Sequence, residues 1–74
     1  MYLHELKPGV WAEIEEICDG DTCIKLIEMG CLPGEKVCVR MLAPFNGPIA
    51  IEVAGNLISL RIAEAKNIRL KEPV

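Results

Sequence analysis

One helix spliced into a chain otherwise patterned as short strands constrains this sequence more than any other feature. The segment Leu26-Ile27-Glu28-Met29-Gly30-Cys31-Leu32-Pro33-Gly34 reads as the end of an amphipathic helix followed by a turn, and it feeds straight into the strand-like run Lys36-Val37-Cys38-Val39-Arg40-Met41. Gly30 suits the position just past a helix C-terminus, where a left-handed backbone suits a residue without a Cβ. Pro33 keeps the helix from resuming, and Gly34 completes the turn. Such an insert is a topological marker, and it narrows the fold further than any catalytic motif in the chain.

Around this insert the pattern is one of strands and tight turns. Residues 1–9 form a lead-in closed by Pro8-Gly9, and Val10 to Cys18 reads as a strand with Ala12 and Ile14 on one side. Asp19-Gly20-Asp21 turns the chain, with Asp21 a suitable N-cap for a helix from Thr22 to Met29. Cys23, Leu26, Ile27 and Gly30 are expected to form its inward stripe, while Lys25 and Glu28 point outward within reach of each other. The second strand, Glu35 to Ala43, alternates with Val37, Val39 and Met41 on one face and Cys38, Arg40 and Leu42 on the other. Phe45-Asn46-Gly47, bracketed by Pro44 and Pro48, reads as a hairpin loop in which Asn-Gly supplies the positive φ angles. Ile49, Ile51 and Val53 face inward on the third strand, Gly55-Asn56 turns, and Leu57 to Arg61 makes the fourth. Ala63-Glu64-Ala65 is a single helical turn, and Ile68-Arg69-Leu70 is a last short strand before a tail at Glu72-Pro73-Val74.

Five short strands at this spacing argue for a mainly β fold. The expected architecture is a small SH3-like barrel, with one helix inserted after the first strand and a short helical turn before the last. Closing the barrel would also remove the exposed edges that make a small sheet adhesive. At 74 residues the whole chain, 1–74, makes one domain. Burial of about 60% of the unfolded surface contributes on the order of 110 kcal/mol. Ordering the chain costs about as much. So narrow a margin leaves little room for strained or unpaired polar groups, which argues against an enzyme.

Charge and hydropathy exclude further classes. The net charge is −3 and the eight basic residues are scattered, so nothing here makes an electrostatic footprint for nucleic acid. No stretch approaches the ~20 apolar residues of a membrane span, and no signal-peptide pattern opens the chain. A cytoplasmic protein without direct membrane insertion is expected. The four cysteines, Cys18, Cys23, Cys31 and Cys38, contain no Cys-x-x-Cys pair, so neither zinc-ribbon nor thioredoxin spacing is met. Free cysteine packs as a small hydrophobe, and that is the expected role of these four. The sole histidine, His4, has no recognisable catalytic or ligating companion. No catalytic residue, metal ligand or cofactor is assigned.

Taken in order, Leu26-x-x-x-Gly30-x-Leu32-Pro33-Gly34, then Ala43-Pro44 with Gly47-Pro48-Ile49, then Leu60-Arg61 and Glu64-Ala65-x-x-Ile68, resemble the ferrous iron transport protein A (FeoA) family from about Leu6 to Leu70. The resemblance implies a small cytosolic SH3-like barrel that assists the ferrous iron transporter, a membrane protein whose cytosolic part binds GTP. It implies a binding protein rather than an enzyme or an iron carrier, and leaves room for a weak homo-oligomer. The same barrel occurs as the C-terminal domain of iron-dependent repressors, where it follows a DNA-binding domain that this chain lacks. The cysteines are not hallmarks of the family.

Each motif also has a plain structural reading: Leu26 as core, Gly30, Pro33 and Gly34 as an exit turn, and Leu60 as a plug for the barrel. An arginine after a core leucine must snorkel or find an acceptor, and a salt bridge is the expected fate of Arg61. SH3-like barrels meet partners in shallow grooves between loops, using apolar side chains on constrained turns. The candidate partner-binding residues are therefore Leu26, Met29, Cys31 and Leu32 around the helix exit, Phe45 in the hairpin loop, and Arg61. The alternative is a metal-binding or metal-sensing domain working through cysteine thiols, which requires three or four ligands to converge. A third reading, with Arg40 or Arg61 as an arginine finger on a GTPase, rests on less.

Overall fold

The computed structural model describes residues 1–17 and 21–72. Cys18, the turn at Asp19-Gly20, the capping side chain of Asp21, and Pro73-Val74 lie outside the described residues. A 3₁₀ turn at Leu3–Glu5 opens the chain, followed by β1 (Trp11–Ile17), α1 (Asp21–Glu28), β2 (Lys36–Leu42), β3 (Ile49–Val53), β4 (Asn56–Leu60), α2 (Ile62–Ala65) and β5 (Ile68–Leu70). The strands form one antiparallel sheet in the order β4-β3-β2-β1-β5. The fold is mainly β and SH3-like, with the helix after β1 and the short helical turn before β5. The barrel is not closed by hydrogen bonds, since β4 and β5 end the sheet without pairing to each other. The chain crosses between these two edges through α2, so packing completes the curl.

Alternation fills the interior. Ala12 and Ile14 from β1, Val37 and Val39 from β2, Ile49, Ile51 and Val53 from β3, Leu60 from β4, and Ile68 and Leu70 from β5 join one buried cluster with Leu26 and Cys31. Leu3 and Leu6 belong to it as well, so the lead-in is a structural part of the core rather than an appendage. Tyr2 bridges to Arg69, and the Leu70 N–H donates to the Met1 carbonyl at 2.7 Å. The first residues thereby cover the outer edge of β5.

Two expectations about side-chain direction are corrected. Val39 pairs with Ile51 but Met41 pairs with Ala50, so Arg40 is the extra residue of a β-bulge. The slip turns Met41 to the outer face, where it is 68% exposed, instead of the core. On α1 the inward row is Leu26, with Cys23 and Met29 partly covered, whereas Ile27 is exposed together with Ile24. Lys25 does not pair with Glu28 but reaches Glu64 of α2 at 3.1 Å, linking the two helices.

Candidate docking surface

The β2–β3 hairpin carries the most exposed aromatic of the chain. Phe45 and Asn46 hold φ of 58° and 57°, and the Gly47 N–H donates to the Pro44 carbonyl at 3.1 Å. Positive φ at both central residues is the mark of a type I′ turn, whose twist matches the flanking strands. The positive angles therefore fall on Phe45-Asn46 and not, as expected, on Asn46-Gly47. Gly47 is required for a different reason: a Cβ there would lie 2.8 Å from the Cβ of Ala43 and 3.1 Å from the Pro44 carbonyl. The same one-residue displacement occurs in the next hairpin, where Ala54 and Gly55 take positive φ ahead of Asn56.

Phe45 is 100% exposed at the tip of this hairpin. Met41 and Leu42, on the strand that leads into it, are exposed too. No ionisable residue stands between Met41 and Ile51, so the hairpin end is an uncharged apolar projection. Sequence reasoning found Phe45 from its place between two prolines. It missed Met41, because the bulge that turns it outward leaves no mark in the alternation, and Leu42, which the bulge moves from the outer face to the register of Ile49 and which stays exposed at the end of its strand.

The helix exit forms a second element of the surface. The Gly30 N–H donates to the Ile27 carbonyl at 3.0 Å and the Cys31 N–H to the Leu26 carbonyl at 2.9 Å, with Gly30 at φ 97°. This is a Schellman motif, closed by the buried pair Leu26 and Cys31. Both are wholly inside the core, so neither offers a surface to a partner, and their part is to fix the turn. Burial pushes the Cys31 thiol up to about 11. Met29 is partly covered, and Leu32 is exposed at the head of a turn in which the Glu35 N–H donates back to its carbonyl at 3.0 Å.

Arg61 sits at the junction of β4 and α2 and is exposed. Among the described residues its guanidinium makes no ion pair, contrary to the expected salt bridge. Its backbone N–H donates instead to the Glu64 carboxylate at 2.8 Å. That hydrogen bond, with the bridge from Lys25, holds the Glu64 carboxyl below its ordinary range. The six candidates thus fall into an interior pair, the helix exit with Met29 and Leu32, and the separate positions Phe45 and Arg61.

Arg40 is committed elsewhere. Its guanidinium bonds Glu52 at 2.9 Å and lies 5.3 Å from the ring centre of Trp11. Trp11, Cys38 and Glu52 are cross-strand neighbours on the outer face, so Arg40 spans Cys38, which is fully buried. Cys23, Cys31 and Cys38 are free thiols. Among the described residues no three His, Cys, Asp or Glu side chains converge in a way that could hold a metal ion, and no helix is long and apolar enough to cross a membrane.

A curled antiparallel sheet that buries one apolar cluster and presents apolar side chains on its turns defines an SH3-like β module. The chain belongs to the FeoA domain family, whose model matches residues 1–72. Iron(II) transport protein A from Clostridium thermocellum is similar at 36% identity with a TM-score of 0.90, over 96% of this chain and 44% of that one. The chain therefore spans less than half the length of that relative. A FeoA from Stenotrophomonas maltophilia, solved in complex with zinc, is 29% identical with a TM-score of 0.86, over 96% of this chain and 89% of that one. A manganese-dependent transcriptional repressor shares the fold alone, at 18% identity and a TM-score of 0.83 over 92% of this chain and 39% of that one. No curated protein matches the chain.

Proposed function

We propose that this protein is a cytoplasmic accessory of ferrous iron uptake that docks on the GTP-binding cytosolic part of the ferrous iron transporter and modulates its activity. It works as a binding module, without chemistry or cofactor of its own. Family membership supplies the iron-transport context. The observation that carries the docking role is Phe45, held wholly in solvent by a turn that gives a bulky residue positive φ. Such a conformation is uncommon for an aromatic side chain and confers nothing on the interior. Strain of this kind clusters at active sites, ligand clamps and switch regions. Met41 extends the contact along the outer face of the same hairpin, and Leu32 at the helix exit adds a second.

Large aromatic anchors at an interface centre commonly account for 2 kcal/mol or more of binding, about thirtyfold in affinity. Titrating the purified cytosolic domain of the transporter with wild type, Phe45→Ala and the Phe45→Ala/Leu32→Ala double variant measures this directly. Binding should weaken by about that factor in the single variant and further in the double, with the fold retained in both. Undiminished affinity in a folded double variant would remove the docking role.

A further inference from the structure

The chain has three methionines, and they differ in what covers the sulfur. Met1 and Met29 are partly buried against the core cluster. Met41 is 68% exposed, because the bulge at Arg40 turns it to the outer face. Its flanks are low. Ala50 stands opposite it on β3 and Ser59 lies beyond on β4, and both side chains are too short to reach over a thioether. On the other side β1 begins at Trp11, which pairs with Cys38, so no strand residue stands beside Met41. Phe45 is wholly in solvent, so its ring shields no neighbour, and Arg40 is held by Glu52 and Trp11.

Among the described residues the thiols are better protected. Thiol oxidation proceeds through the thiolate and needs access to the sulfur. Cys31 is buried with its thiol pushed up to about 11, Cys38 is buried, and Cys23 is partly covered. The open sulfur of this surface is therefore a thioether on the candidate docking hairpin.

We propose that Met41 is a peroxide-sensitive modification site, and that its oxidation to the sulfoxide loosens the docking contact; the second half rests on the docking role proposed above. The sulfur lone pair attacks one oxygen of hydrogen peroxide and the O–O bond breaks. The departing hydroxide takes the proton left on the transferred oxygen and becomes water. Sulfur is oxidised by two electrons and the peroxide is reduced by two, so no further reagent is needed. The product replaces a soft apolar contact with a strong hydrogen-bond acceptor. From Met41 to Ile51 no residue is ionisable, so a partner fitted to this hairpin end meets an uncharged apolar surface. Covering a sulfoxide there buries an acceptor without a donor, which costs affinity. The fold is spared, because Met41 lies outside the core cluster. Ferrous iron cleaves peroxide to hydroxyl radical, so a peroxide-sensitive contact ties iron uptake to the reagent with which its metal is most hazardous.

Brief treatment with hydrogen peroxide, quenched by catalase and followed by dithiothreitol, reverses sulfenic acids and disulfides but leaves methionine sulfoxide in place. Peptide mass spectrometry should find one added oxygen at Met41 before Met1 or Met29 gains any. Titration against the transporter's cytosolic domain should then show binding roughly tenfold weaker than before treatment, with the urea midpoint unchanged. Methionine sulfoxide reductases should restore it. Each variant is read as the ratio of its own affinities before and after peroxide. That ratio should stay at unity in Met41→Leu and fall in Met29→Leu as in wild type. Oxygen entering first at Met1 or Met29 would overturn the modification site. Equal affinity before and after treatment would overturn the switch, as would a loss that persists in Met41→Leu and so belongs to a thiol. Untreated protein that fails to bind would sink the docking role instead, and the order of oxidation would still decide the site.

Discussion

At the scale of single residues, a few side chains trade stability for position. Phe45 occupies the left-handed region, which costs an L-residue about 1–2 kcal/mol, and its ring buries nothing in return. Asparagine tolerates that region far better and is favoured at the first central position of a type I′ turn. Phe45→Asn should therefore raise the urea midpoint, by up to about 1 kcal/mol in stability, while weakening transporter binding as the alanine variant does. A loss of stability in this variant would show that the ring packs on the hairpin in solution. The cysteines divide in the same way. Cys31 and Cys38 are buried and Cys31 is held protonated to about 11, whereas Cys23 is partly exposed. Brief alkylation of the native protein at neutral pH should label Cys23 and spare Cys31 and Cys38, with all four cysteines of the chain modified in denaturant, as read by peptide mass spectrometry.

At the scale of elements, the sequence spoke clearly wherever one strand's own pattern decided the outcome. β3 alternates with Ile49, Ile51 and Val53 inward, as its residues dictate, and the stop after α1 at Gly30 follows from chemistry local to the turn. It was silent where a second element decides. The bulge at Arg40 arises from the register of β2 against β3, and no residue type announces it; one slipped position moved Met41 out of the core and onto the candidate surface. Ile27 likewise reads as inward by hydropathy. An eight-residue helix has a narrow contact face, however, and among its described side chains Leu26 alone is fully buried. Helix α2 is too short to persist by itself and is anchored by Glu64, through the Arg61 N–H and Lys25. The Glu64 carboxyl is depressed in the folded protein, so its contribution is present above the ordinary value of 4.5 and disappears as pH falls through the lowered one. Glu64→Ala should lower the thermal midpoint at neutral pH by several degrees, given about 1 kcal/mol for a lost cap. The gap between variant and wild type should narrow on acidification below 4.5. A gap independent of pH would mean that packing, and not the carboxylate, secures α2.

At the scale of the whole molecule, the curl works because the opening residues and β5 meet on one side of it. β5 and the opening residues are far apart in sequence, yet Tyr2 pairs with Arg69 and Leu3 sits with Ile68 and Leu70 in the same buried cluster. The 3₁₀ turn touches both α2 and β5, so it lies against the crossing that joins the two sheet edges. Its leucine is thus placed to hold together what the strand ladder leaves open. Leu3→Ala removes a side chain with no exposure from a domain of 74 residues, and substitutions of this kind cost about 2–5 kcal/mol. Set against the marginal stability of so small a domain, that loss should populate unfolded chains at ambient temperature. Leu57→Ala, which deletes the same atoms from an exposed position on β4, should leave the urea midpoint nearly unchanged. If the two variants unfold at the same urea concentration, the opening residues are an appendage and the sheet holds its curl without them. If Leu3→Ala alone collapses, the barrel is completed by its first turn rather than by its strands.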